Sequence, residues 1–190
     1  MGVFSVEENA QSYAKSIRKL GGTGYVHEED GFYYVFAMCY SKKDDALSVM
    51  SSLDAQGYSG YVYTLTHQGL KMEVRGAEDA LQRLNTAAEG LGVVISRLED
   101  ASILLDKAGA DVIAPLGEIR DELKAARETF EEYSSAENDG FSRLGELCKA
   151  VENEVSNVIQ LEGSELSWGI KHATVSAAFM LRDVVGEILK

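Results

Sequence analysis

Apolar positions along the chain fall into two regimes. In residues 1–75, helix-like stripes alternate with strand-like runs. Ala10, Tyr13, Ala14, Ile17 and Leu20 recur at steps of three and four, as do Ala46, Val49, Met50 and Leu53, which is the period of one buried helix face. Gly21 and Gly57 follow these stripes and predict left-handed helix ends. Ser5 stands three residues ahead of Glu8, and Ser41 three ahead of Asp44, so each hydroxyl is predicted to cap a helix start with the acid reaching back. Residues 32–40 read as a long strand after the acidic turn of Glu28, Glu29 and Asp30. Residues 24–26 and 60–64 read as short strands, rich in aromatic and β-branched side chains. From Gly76 onward the strand signal disappears. Four amphipathic helices are predicted over 81–98, 112–130, 144–158 and 166–188, with breaks near Gly109, around 134–140 and at Gly163-Ser164. The single proline, Pro115, fits the first turns after a cap at Asp111, and the short connections predict an up-down bundle.

The first regime has an internal order. Sliding the sequence by 36 residues aligns Ser5 with Ser41, Ala10 with Ala46, Ser16 with Ser52 and Gly21 with Gly57, and lays Gly24-Tyr25-Val26 on Gly60-Tyr61-Val62. Matches at one offset among residues with different structural jobs mark a duplicated unit. Strand, helix, strand, twice over, predicts a split βαββαβ sheet with two helices on one face. The fold class expected is therefore α+β, with this sheet over residues 1–75, its first strand truncated, and an acidic helical region over 76–190. At the same offset Met1 falls on Ala37, so most of the first strand is expected to precede Met1, in a longer protein with a membrane anchor upstream. A second expectation is an extra strand over 70–75, where Met72 and Val74 alternate with Lys71, Glu73 and Arg75.

The phrasing Val-Phe-Ser-x-Glu-Glu-x-Ala, a Leu-Gly helix end, an aromatic central strand, then Ser-x-x-Asp-Asp-Ala and Gly-Tyr-Ser-Gly-Tyr-Val resembles the SPOR (sporulation-related repeat) domain. The resemblance covers residues 1–75. It implies binding to peptidoglycan glycan strands stripped of their stem peptides, at the extracytoplasmic face of the bacterial cell envelope, in a protein of division or sporulation.

Charge narrows the partners. The formal net charge is -13, and of the 31 acidic residues 22 lie in 76–190, against 11 of the 18 basic ones. That balance excludes a nucleic-acid backbone, which needs a basic footprint, and simple adhesion to anionic lipid. Acid pairs such as Asp121-Glu122 and Glu131-Glu132 fall on the polar side of their helices and read as solvated faces. Cys39 and Cys148 are far apart with no CxxC neighbour and read as separate buried thiols, with an extracytoplasmic disulfide as the alternative. His27, His67 and His172 lack metal-ligand spacing. His27 reads as a solvated loop residue, and Trp168 with His172, four apart, as two rings packed in a bundle core. No nucleophile motif, phosphate loop or zinc signature occurs. The expectation is a non-enzyme without cofactor or metal.

One face of the sheet is left over. If Val35 and Ala37 point at the repeat helices, alternation sends Phe32, Tyr34, Phe36 and Met38 to the other side, where Tyr25, Tyr61 and Tyr63 join them. A band of this size needs a ligand or a cover. In one reading Tyr34, Phe36, Tyr61, Tyr63, Phe32 and Tyr25 form a sugar-stacking platform, and the acidic helices recruit a protein partner. In the other, C-terminal helices lie across the face, the rings are core, sugar binding is lost and the protein is an interaction scaffold. A third reading is a dimeric small-molecule sensor, which fold alone does not separate from the others.

Overall fold

The computed structural model describes residues 2–66, 74–135 and 139–188; the expected strand over 70–75 and His67 lie largely or wholly outside them. Elements follow in the order β1 (Gly2–Phe4), α1 (Glu7–Lys19), β2 (Tyr25–Glu29), β3 (Phe32–Phe36), α2 (Lys43–Asp54), α3 (Glu78–Ala108), α4 (Ile113–Glu132), α5 (Asp139–Val158) and α6 (Gly163–Ile188). The strands form an antiparallel sheet in the order β1-β3-β2. The protein is α+β, a small sheet followed by four long helices.

Local sequence explains the turns. β2 and β3 are joined by Asp30-Gly31, both at positive φ (53° and 76°), the two-residue geometry whose twist matches the strands. The acidic run is therefore mostly strand, with Glu28 and Glu29 inside β2. Both repeat helices end alike: the amide of Gly22 donates to the Ile17 carbonyl and that of Tyr58 to the Leu53 carbonyl, around Gly21 and Gly57 at φ 87° and 85°. Their starts differ from expectation. Val6 and Lys42 occupy the cap positions without a side-chain cap, and the Ser41 amide donates instead to Glu99 Oε2 (2.8 Å), a buried α3 carboxylate that holds the start of α2 from outside.

Two strand expectations are corrected. β3 stops at Phe36 rather than running to residue 40. Residues 60–64 join no ladder among the described residues. The edge available beside β1 is only three residues long and offers few hydrogen-bonding groups, whereas the Tyr63 ring gains contacts on the sheet face instead, 5.7 Å from Phe36 and 6.1 Å from Tyr34 between centroids.

The sheet has two differently covered faces. On one, Val35 packs with Ala10 and Ala14 of α1, joined by Phe4, Tyr13, Ile17 and Val26. On the other, α6 lies over β2 and the end of β3, where Phe36, Val175 and Phe179 form a second small core. The helices make the main core. Each packs on the next, and α6 closes the ring against α3 around Leu98, Leu116, Phe130, Val151 and Ile170. Ion pairs joining the start of one helix to the end of the next, Arg83 to Glu132 (2.5 Å) and Arg143 to Glu187, show the alternating direction. The Asp111 carboxylate accepts the Ile113 amide (3.0 Å) at the head of α4, and Pro115 follows within that first turn. Among the described residues, no helix is long and apolar enough to cross a membrane.

Candidate functional site

Register places the aromatic face without ambiguity. Directly opposed residues share a face, so Val3, Tyr34 and His27 stand in one row, Phe36 and Tyr25 in the next, and Phe32 and Glu29 in a third. The alternation read from sequence is therefore realised, with Val35 on the helix side. The six candidate rings then divide into two groups.

Tyr25 and Phe36 belong to the contact with α6. The Phe179 ring lies 5.8 Å from Tyr25, stacked, and 5.1 Å from Phe36, edge-on. Phe36 keeps 9% of its surface. Burial raises the Tyr25 hydroxyl above its ordinary pKa, against a hydrogen bond with Ser176 that lowers it. Phe32, Tyr34, Tyr61 and Tyr63 lie on the side that α6 leaves uncovered. Phe32, Tyr61 and Tyr63 are 46%, 47% and 38% exposed, and Tyr34 is half-buried beside Tyr63. This strip combines flat rings with three phenol hydroxyls. Tyr63 donates to Glu29 Oε2 (3.4 Å) at its border, and Val3 of β1 widens it. Such a surface can stack on the apolar face of a neutral sugar and hydrogen-bond its hydroxyls.

Polar groups from α6 fix how much of the face stays open. Arg182 pairs with Glu29 (2.7 Å), approaches His27 Nε2 (3.3 Å) and lies over the Phe179 ring, 5.0 Å from its centroid. Trp168 Nε1 donates to the Thr23 carbonyl (2.8 Å) and Lys171 Nζ to the Gly21 carbonyl (2.7 Å), gripping the turn between α1 and β2. Two sequence expectations change here. His27 is a β2 residue stacked on Phe179 at 4.0 Å, not a loop histidine. Trp168 and His172 do pack ring on ring (5.1 Å), at the sheet contact rather than inside the bundle. Desolvation lowers the pKa of both histidines, with Arg182 adding to it at His27 and Arg18 at His172.

The thiols are free and separate, and burial pushes Cys39 up to about 11 and Cys148 up to about 12. Neither is a thiolate at neutral pH. Among the described residues no cluster of His, Cys, Asp or Glu is placed to hold a metal ion. Sequence reasoning missed Arg182 and Glu29 as the border of the strip. Each looks like an ordinary surface charge until α6 is docked.

Comparison with curated proteins and with solved structures finds no match to this chain. Residues 1–64, which hold the sheet with α1 and α2, match the family model of the SPOR domain, a non-catalytic family that binds peptidoglycan, and this match supports a cell-envelope binding module.

Proposed function

We propose that this protein attaches to peptidoglycan glycan strands through the strip formed by Phe32, Tyr34, Tyr61 and Tyr63, and that it localises without catalysing. The observation that carries the reading is the gathering of these four rings on the side of a SPOR sheet that α6 leaves uncovered. Tyr25 and Phe36 then support the strip from beneath α6 instead of touching sugar. We take residues 1–75 as the binding module and 76–190 as an acidic helical module that orients a protein partner. The setting is a membrane-anchored division or sporulation protein at the extracytoplasmic face of a bacterial envelope, with bare glycan as the ligand.

A second reading is favoured by α6 itself. With Tyr25 and Phe36 covered, the face is narrower than the sequence suggested, and a scaffold that has lost sugar binding accounts for the docking equally well.

Retention on isolated sacculi separates the two. The whole chain is expected to be retained more on amidase-treated walls, which expose bare glycan, than on untreated ones. Tyr34→Ala combined with Tyr61→Ala is expected to abolish that retention while thermal unfolding stays cooperative. Unchanged retention in the double variant removes the strip from the account, and no retention of the unmodified chain on either wall selects the scaffold.

A further inference from the structure

A cleft of about 540 Å³ lies between α2, residues 61–65, α3 and α6, in the size range of sites for small organic ligands. Its walls are flexible and apolar: Met38 follows β3, Met50 and Leu53 come from α2, Ile95 from α3, Leu181 from α6, and Leu65 from the segment between. Methionine and leucine walls adapt to an alkyl chain and offer it dispersion contacts along its length. The apolar stripe of α2 faces this space, and no residue of that helix is buried, so the helix is amphipathic towards an opening. The raised pKa of Cys39, in the same wall, accords with a dry interior.

Charge selects the occupant. Among the described residues no acidic side chain lines the cleft, and neither Asn nor Gln does. The uncharged side-chain oxygen groups of the lining are hydroxyls of Ser41, Ser96, Thr64, Tyr40, Tyr61 and Tyr63, whereas the wall of Met38, Met50, Leu53 and Ile95 offers a sugar's hydroxyls no partner. Among the described residues the single charged one in the lining is Lys43, exposed in the first turn of α2, with exposed Ser41 two residues before it. In a protein of net charge -13, a cation with this position at the rim of an apolar cleft is complementary to one negative headgroup on one long chain.

We infer that the cleft binds a free long-chain carboxylate, with its alkyl chain along Met38, Met50, Leu53 and Ile95 and its carboxylate at Lys43. The cleft adjoins the aromatic strip, with Tyr61 and Tyr63 on the shared border, but its apolar wall of Met38, Met50, Leu53 and Ile95 is separate and the inference does not rest on the glycan reading. Gly92 of α3 provides a direct test, because a side chain added there meets nothing within 4 Å and the residue lines the cleft. Gly92→Phe fills the space from a helix that gains propensity by losing a glycine.

The experiment is a fluorescence titration of the whole chain with cis-parinaric acid, followed by competition. Saturable one-site binding, displaced by palmitate, is expected. Gly92→Phe should weaken it about tenfold or more, a change of ~1.4 kcal/mol. Lys43→Glu should weaken palmitate about threefold, the range for an exposed ion pair, and leave hexadecanol unchanged. Thermal unfolding accompanies each variant, and Ala46→Phe fills the same cleft from α2 if Gly92→Phe does not fold. Absence of saturable binding, or full binding by a folded filled variant, overturns the site. Equal loss for palmitate and hexadecanol in Lys43→Glu overturns the headgroup assignment. Phospholipid vesicles that compete as well as palmitate overturn the free acid in favour of a membrane surface. Sacculus retention that is unaltered in Gly92→Phe keeps this test separate from that of the glycan strip.

Discussion

Glu154 is the residue where charge and burial conflict. On α5, facing α6, its Oε1 accepts from Ser176 Oγ (2.7 Å) while Oε2 is buried without a hydrogen-bond partner. Desolvation raises its pKa above the ordinary 4.5, against the Ser176 bond. A raised carboxyl pKa stabilises the fold fully below the unfolded value and loses that contribution as pH rises through the folded one. At neutral pH the charged form is therefore a cost, and Glu154→Gln is expected to raise the urea midpoint at pH 7.5 and to lose that advantage at pH 4. A midpoint lowered at both pH values would contradict it. Gly24 shows a different residue-scale constraint. Its φ is +57°, and a Cβ there would lie 2.4 Å from the Ala14 carbonyl oxygen, so the start of β2 passes directly against α1. Gly24→Ala should cost about 2 kcal/mol or more in equilibrium unfolding, combining left-handed strain with a backbone clash. Sequence matched Gly24 to Gly60 without revealing why, since the close approach involves a residue ten positions earlier.

At the scale of elements, α6 is decisive. Its apolar stripe through Leu166, Ile170, Ala173 and Ala177 enters the bundle core, while Val175 and Phe179 enter the sheet contact. A helix packed on two faces needs apolar or small residues nearly all round, and the run Ala173-Thr174-Val175-Ser176-Ala177-Ala178-Phe179 has that composition. The second face was legible in principle and is hidden by the regularity of the first. Phe179, 5% exposed, belongs to the sheet contact alone. Phe179→Ala should cost ~3–5 kcal/mol, the range for deleting a buried ring. The loss falls on α6 docking, so Trp168 fluorescence, which reports the contact at Thr23, should change at lower urea than helical circular dichroism. Coincident transitions would show that the sheet and bundle unfold as one unit despite their separate cores. The helix starts show the same dependence on tertiary context: Ser41 read as a cap, but its amide is taken by Glu99, 58 residues away.

Over the whole molecule, both described histidines lie where α6 meets the sheet. His27 faces Arg182 and Asp183 from α6, Glu29 within β2 and Tyr34 across the ladder. His172 faces Arg18 from α1, Thr23 and Tyr25. Their folded pKa values lie below the ordinary 6.5, so the unfolded chain binds more protons and the stability they contribute is present above that value and lost as pH falls through the folded ones. Acidification from pH 7.5 to 5.5 should lower the thermal midpoint and perturb Trp168 fluorescence, and His27→Gln with His172→Gln should flatten the response. An equally steep response in the double variant would assign it to other groups. Surface ion pairs such as Arg83 to Glu132 are screened by solvent and contribute little, so salt alone should move the midpoint little.

The sequence by itself determined what depends on local period and local backbone: two short helices with glycine ends, a strand over Tyr25-Val26 and another starting at Phe32, though not where either strand ends, four amphipathic helices, the facing of Val35 against Tyr34 and Phe36, and the SPOR resemblance of the first segment. Alternation and the helical period are properties of neighbouring residues, so they are readable without knowing the partner. The tertiary structure alone decided which rings are covered. Tyr25 and Phe36 lie under α6 while Phe32, Tyr61 and Tyr63 stay exposed, and residues 60–64, strand-like in composition, join no ladder among the described residues. An aromatic side chain gains much the same by packing on a helix as by meeting a ligand. Which of the two it meets is set by competition among surfaces more than a hundred residues apart, which no local pattern encodes.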